Sequence, residues 1–152
     1  MALWDQLKER AADMSANAKT QVGGKFKNKD FANASMAICA LIAAADGTIS
    51  PEERSKTAGF ITSNDVLSIF PASELLEKFT FYASKLEKDY DFGKVEAIQT
   101  IAKLKSKQDA ARAVIQVGII IGGADGDFDD DEKQAVREAC NAVGIAPSEF
   151  DL

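Results

Sequence analysis

The feature that most constrains this chain is an internal repeat. Laid on itself with a shift of 79 positions, Phe31, Ala34, Ile38, Leu41, Ile42 and Ala45 fall on Ala110, Ala113, Val117, Ile120, Ile121 and Ala124. All these residues are apolar, and their spacing follows the turn of an α-helix, so both sets are expected on a core face. Straight after them, Ala45-Asp46-Gly47 falls on Ala124-Asp125-Gly126, Ile49 on Phe128, Ser50 on Asp129, Glu53 on Glu132 and Ile61 on Cys140. One unit therefore occurs twice: an apolar helix, an Asp-Gly loop and an acidic helix start. A repeat of this kind cannot bury its apolar face alone, so the two copies are expected to stack about an internal pseudo-twofold, with both loops on one side.

No stretch alternates with period two for long enough to make a strand. The expected architecture is all-α, a compact helical bundle of about seven helices. Leu3, Leu7, Ala11, Met14, Ala18 and Val22 form a narrow stripe, with Trp4 beside its first members, and Gly23-Gly24 closes it. Residues 1–24 thus read as an amphipathic N-terminal helix packing on its own domain, residues 25–152, across the basic connector Lys25-Phe26-Lys27-Asn28-Lys29. Residues 30–45 are apolar on most sides and belong at the centre. Ser50-Pro51 opens the next helix, to about Thr62. Ser73 precedes one with Leu76, Phe79, Ala83, Leu86 and Tyr90 on one face, and Asp91 opens another with Phe92, Val95, Ile98 and Ala102 inward. Helices over 107–123 and 129–143 complete the set, the last stopped by Gly144 and Pro147. Phe79, Phe81, Tyr82 and Tyr90, with Met14 and Met36, read as core.

Composition excludes several chemistries. Among 152 residues there is no histidine, which removes Ser-His-Asp and Cys-His nucleophilic arrangements. Cys39 and Cys140 stand 101 positions apart and no CxxC occurs, so a zinc site of ordinary Cys/His spacing is excluded. Both cysteines read as small core residues in a reducing compartment. Nothing supplies an oxyanion donor cluster, a phosphate-binding glycine loop or a nucleophile with its base, so no catalysis is expected. The net charge is −6, but residues 125–152 alone carry 2 basic and 9 acidic groups. That acidic end argues against nucleic acid and favours cations or a basic partner surface. The longest apolar stretches, Met36–Ala45 and Val117–Ala124, fall well short of the roughly 20 residues that span a bilayer. With no apolar leader-like region at the start, a cytoplasmic protein without a direct membrane span is expected.

The two loops, Asp46–Glu53 and Asp125–Glu132, share the pattern D-G-x-Φ-x-x-x-E, where Φ is apolar. Helix start-up accounts for most of it. Ser50 and Asp129 suit the N-cap, Glu53 and Glu132 stand three residues on as in a capping box, and Pro51 suits the first helical position. Gly47 and Gly126 permit positive φ, and Ile49 and Phe128 plug the loops into the core. Asp46 and Asp125 precede the caps by four residues and are not needed for capping. Asp127 and Asp130 add charge where repulsion already costs stability. Hard cations relieve such repulsion through carboxylate oxygens. An EF-hand is rejected, because its sixth place is Asp130 rather than Gly and its twelfth is Val136 rather than Glu. The expected site is a divalent-metal site of Ca²⁺ or Mg²⁺ type with Asp125, Asp127, Asp129 and Glu132 as ligands, the first loop (Asp46, Ser50, Glu52 and Glu53) binding more weakly or not at all. A bare acidic docking surface stands beside it as the alternative.

Across nearly the whole chain these residues resemble the TerB family of bacterial tellurite-resistance proteins. The resemblance is carried by Phe26-Lys27-Asn28-Lys29, the helix Met36–Ala45, Asp46-Gly47 with Glu53, the run Ala124–Lys133, and Ala146-Pro147-Ser148-Glu149-Phe150. It implies an all-helical cytoplasmic protein of two similar halves, without established enzymatic activity, linked to resistance to tellurite and other stresses. It implies assembly with a TerC-like inner-membrane protein and with TerD-like proteins, and metal coordination by acidic residues of the two loops. The positions that match are Asp46 and Glu53, and Asp125 and Glu132, with Asp127, Asp129 and Asp131 in the acidic run of closer relatives.

Overall fold

The structure, a computed structural model, describes residues 29–65, 67–124 and 128–152. The helix expected over residues 1–24 lies outside them. Among the described residues there are six α-helices and no strand: α1 (Lys29–Ala43), α2 (Pro51–Ser63), α3 (Ala72–Lys88), α4 (Tyr90–Ala102), α5 (Gln108–Gly122) and α6 (Asp130–Ala142). Short 3₁₀ turns occupy Leu67–Ile69 and Pro147–Phe150. Each of these six corresponds to a helix expected after residue 24.

The repeat reappears in the helix boundaries. α1 and α5 are both 15 residues long, and α2 and α6 are both 13. The 79-residue shift carries Lys29–Ala43 onto Gln108–Gly122 and Pro51–Ser63 onto Asp130–Ala142. Of the paired apolar positions, Phe31, Ala34, Ile38, Leu41, Ile42, Ala110, Ala113, Val117 and Ile121 are buried. Ala45 and Ile120 are half-buried, and Ala124 is exposed. Ala45 and Ala124 lie past the last helical residues, Ala43 and Gly122, so the turns carry them outward.

α1 is the hub. It contacts every other described helix, and from Phe31 to Ile42 every residue but Asn33 is buried. Its small side chains, such as Ala34, Ala37 and Ala40, allow several helices to close on it at once. Against α5 the approach depends on glycine. A Cβ on Gly118 would stand 2.8 Å from Ile38 Cδ1, and one on Gly122 would stand 2.7 Å from Ile42 Cγ2 and 3.1 Å from a Phe128 ring carbon. Missing side chains on α5 thus seat both α1 and the apolar plug of the second loop.

α3 and α4 depart from the expected faces. α3 begins after Pro71, not after Ser73; the Pro71 carbonyl accepts from the Leu75 N–H at 3.2 Å. Its buried face is Leu75, Phe79, Tyr82, Ala83 and Leu86, with Leu76 only half-buried. Phe81 is not core, being 46% exposed, and Tyr90 is half-buried. α4 is capped by Asp89 rather than Asp91: the Asp89 side chain accepts from the Phe92 N–H at 3.2 Å. Its inward face is Gly93, Ala97, Thr100 and Ile101, while Phe92 and Val95 are 77% and 54% exposed. Gly93 explains the rotation: a Cβ there would lie 2.8 Å from the Leu86 backbone, so α3 and α4 touch main chain to main chain. Inside that contact the Tyr82 hydroxyl donates to Thr100 Oγ1 at 2.9 Å, and Thr100 in turn donates to the Glu96 carbonyl at 3.0 Å.

α6 ends as expected at Gly144. Its φ is +72°, the Gly144 N–H reaches the Asn141 carbonyl at 3.2 Å and the Ile145 N–H reaches the Cys140 carbonyl at 2.9 Å, a Schellman closure. Ile61 and Cys140, paired by the repeat, are both wholly buried. No helix among the described residues is long and apolar enough to cross a membrane.

Candidate functional site

Each acidic loop is built by its own side chains. In the first, Gly47 turns the chain with φ +96°. Asp46 Oδ1 accepts from the Thr48 N–H at 3.1 Å and from the Thr48 hydroxyl at 3.4 Å. Asp46 therefore has a local structural task, an Asx-type turn, that capping logic alone did not assign to it. Ser50 Oγ accepts from the Glu53 N–H at 3.1 Å and caps α2. In the second loop Asp129 Oδ1 accepts from the Glu132 N–H at 2.8 Å, and Glu132 Oε1 accepts from the Asp129 N–H at 3.0 Å. The reciprocal capping box thus forms in the second loop. Ile49 and Phe128 are both buried and pin the loops to the core.

The two loops, 79 residues apart in sequence, meet at one cleft of about 300 Å³. Its apolar floor includes Cys39, Ile42, Phe60, Ile121 and Gly122, from α1, α2 and α5. Asp46, Ser50, Glu52 and Glu53 line one side, and Asp129 and Glu132 the other. Six of the eight expected metal-site residues, Asp46, Ser50, Glu52, Glu53, Asp129 and Glu132, therefore share one cleft. The other two, Asp125 and Asp127, lie outside the described residues. Asp130 and Asp131 are exposed on the first turn of α6 and are not among the lining residues.

Glu52, expected with the first loop, adds a fifth carboxylate, and Lys56 on α2, which sequence reading passed over, adds a positive charge. Lys56 follows Glu52 by four residues and Glu53 by three, the spacing that places side chains on one helix face, and that was its sequence signal. The N-termini of α2 and α6 both open on the cleft, since Ser50 and Asp129 line it. Each helix end brings roughly half a positive charge. Lys56 and the two helix ends offset only part of the five carboxylates, so the cleft is acidic. Among the described residues, no three acidic or cysteine side chains are grouped as a metal ion requires. The described carboxylates form an acidic cleft.

Cys39 lies beneath the cleft and is 1% exposed. Burial pushes its thiol well above the ordinary range. Cys140 is pushed up to about 12, first by burial and then by the nearby Glu149 charge, against a smaller opposing backbone hydrogen bond. Neither thiol is a poised nucleophile.

Fold and cleft together define an all-helical protein of two repeated units whose acidic loops converge. A family model described as "Tellurite resistance protein TerB" matches residues 32–152. A curated relative, "Tellurium resistance protein TerB" from an Alcaligenes species, is 34% identical over 119 residues, covering 78% of this chain and 97% of the relative. The chain belongs to the TerB family of tellurite-resistance proteins. No solved structure matches it.

Proposed function

We propose that this chain serves tellurite resistance as a non-enzymatic cytoplasmic adaptor, and that its acidic cleft receives a positively charged group of a partner protein. The support is the meeting of Asp46, Glu52 and Glu53 with Asp129 and Glu132 in one concave site. An apolar floor beneath charged walls suits a long cationic side chain, whose stem packs on carbon while its head pairs with carboxylates. The TerC-like inner-membrane protein and TerD-like proteins that the family resemblance implies are the first partners to test. No reacting group is assigned to the cleft, and Cys39 beneath it is buried with its thiol pushed upward.

A second reading has its own support in the chemistry of the donors. Five carboxylates on one cleft are hard-oxygen ligands of the kind Ca²⁺ and Mg²⁺ take. Asp125 and Asp127 would then complete the set that the described residues leave short, and cation occupancy would set the charge offered to the partner. Calorimetric titration of the full chain separates the two. Heat on adding Ca²⁺, Mg²⁺ or Mn²⁺, lost in Asp125→Asn with Asp127→Asn, selects the metal reading. Binding of a Lys/Arg-rich peptide that weakens with salt and ignores metal and chelator selects the partner reading. Neither response would remove both.

A further inference from the structure

We propose that the outer face of α4 is a self-association surface, on which a second copy of this chain packs antiparallel about a twofold axis. α4 buries Gly93, Ala97, Thr100 and Ile101 in its own bundle. On the opposite side Phe92, Val95, Gln99 and Ala102 follow one another at spacings of three, four and three, the seam by which one helix packs along another. Phe92 and Val95 are the two most exposed large apolar side chains among the described residues. The third, Phe81, lies under a charged group, with Lys85 Nζ 4.7 Å from its ring centre. The flanks of α4 are engaged within the chain: Lys94 pairs with Glu138 on α6 at 2.8 Å, and Glu96 with Lys85 on α3 at 2.7 Å. Between those flanks runs the apolar stripe, with Asp91 at its start and Lys103 at its end, both exposed and neither in an ion pair among the described residues. Lys103 keeps helical backbone angles, φ −59° and ψ −22°, and so continues the same face.

The stripe is complementary to itself. A twofold axis at the level of Ala97 opposes position 91 to 103, 92 to 102 and 95 to 99 of the other helix. Asp91 then meets Lys103 of the second copy, and the symmetry makes that pair twice. Phe92 meets Ala102 of the second copy, and Val95 meets the stem of its Gln99, so large side chains fall opposite smaller ones as interdigitated layers require. Antiparallel helices also set each N-terminus beside the other's C-terminus, which their dipoles favour. A parallel copy would instead oppose Asp91 to Asp91 and Lys103 to Lys103. An isologous contact is the kind that needs a patch matching itself, and this is what selects a second copy as the occupant. A seam on one helix is smaller than the roughly 1,200–2,000 Å² of stable interfaces, so the pairing is reversible. None of the described residues lining the acidic cleft belongs to α4, so the pairing uses no cleft residue and gives one assembly two clefts. A partner with repeated cationic groups would then engage the second cleft as an intramolecular step.

Analytical ultracentrifugation of the full chain, from about 10 μM to about 1 mM, covers the micromolar-to-millimolar Kd range of a reversible dimer. The wild-type chain should pass from monomer to dimer across that range and return on dilution. Phe92→Asp should stay monomeric throughout, with an unchanged thermal midpoint. Asp91→Lys alone opposes lysine to lysine, and Lys103→Asp alone opposes aspartate to aspartate, so each should stay monomeric by itself. Mixed in equal amounts, the two single variants should form a heterodimer, because both charge pairs are then restored. Phe81→Asp, off the stripe, should dimerise as wild type does. A wild-type chain that is monomeric at the highest concentration would overturn the assignment. So would a dimer that survives Phe92→Asp or is lost in Phe81→Asp, and so would charge variants that dimerise alone or fail to pair when mixed. A monomeric chain that still binds a Lys/Arg-rich peptide at its cleft would remove the dimer and leave the cleft reading standing.

Discussion

Asp129 and Glu132 hold each other's main chain, each carboxylate accepting the other residue's N–H at 2.8 and 3.0 Å, and the same two side chains line the cleft shared with the first loop. Their structural and electrostatic roles can be separated by substitution. Asp129→Ala removes the cap and should cost about 0.5–2 kcal/mol in urea unfolding. Asp129→Asn keeps a cap oxygen, should stay within a few tenths of a kcal/mol of wild type, and still removes a charge from the cleft.

Asp46→Asn is the matching change in the first loop. The amide oxygen can keep the turn to Thr48, so the thermal midpoint should hardly move. Affinity for a cationic peptide should fall in calorimetry, by an amount that shrinks as salt is added.

Two glycines should respond with opposite sign. Gly93→Ala places a methyl 2.8 Å from the Leu86 backbone, which cannot swing away as a side chain would. It should destabilise by about 1–3 kcal/mol or more. Gly59, on an exposed face of α2, has nothing within 4 Å of its missing Cβ. Gly59→Ala should stabilise by about 0.5–1 kcal/mol, through helix propensity and a less entropic unfolded chain. Denaturant midpoints measure both.

Those glycines mark where sequence reading succeeded and where it did not. The repeat was legible because Asp-Gly loops, caps and apolar positions all kept the same 79-residue register, and α1, α2, α5 and α6 follow it. α4 was turned the wrong way because periodicity rewards large apolar residues, and Phe92 and Val95 outweighed a glycine whose value lies in being small. The same rule misplaces Phe81 in the core. That Asp46, Glu53, Asp129 and Glu132 belong together is legible in the repeated D-G-x-Φ-x-x-x-E pattern, in which Asp46 exceeds what a cap requires. Lys56 is not legible as part of it, since alone it looks like an ordinary solvated helix residue.

The thiols give a direct test of burial. In the native chain at neutral pH, Cys39 and Cys140 should resist a thiol reagent such as DTNB, and both should react once the chain is unfolded. The Cys140 value is raised from 9.0 to about 12, so its contribution to stability is fully present below about 9 and declines as pH rises from there toward 12. A Cys140→Ala variant should lose less stability over that alkaline window than wild type does.

Arg112 and Glu149 join α5 to the C-terminal 3₁₀ turn, with Arg112 Nε donating to Glu149 Oε2 at 3.1 Å. The hydrogen bond from Arg112 holds the Glu149 carboxyl below the usual glutamate range. The stabilisation from this pair is present above the ordinary glutamate value and fades as pH falls through the lowered one. Carboxyl NMR titration should find Glu149 ionised to lower pH than exposed glutamates, and Arg112→Ala should return it upward.

The most direct test of the cleft is an amide NMR titration of the labelled full chain with a Lys/Arg-rich peptide, then with Ca²⁺ or Mg²⁺. Binding of positive charge between the loops should move the signals of residues 46–56 and 128–132 together, and an Asp46→Asn, Asp129→Asn double variant of unchanged thermal midpoint should abolish those shifts. Shifts confined to one loop, shifts that persist in the double variant, or no shift with either cation would contradict it.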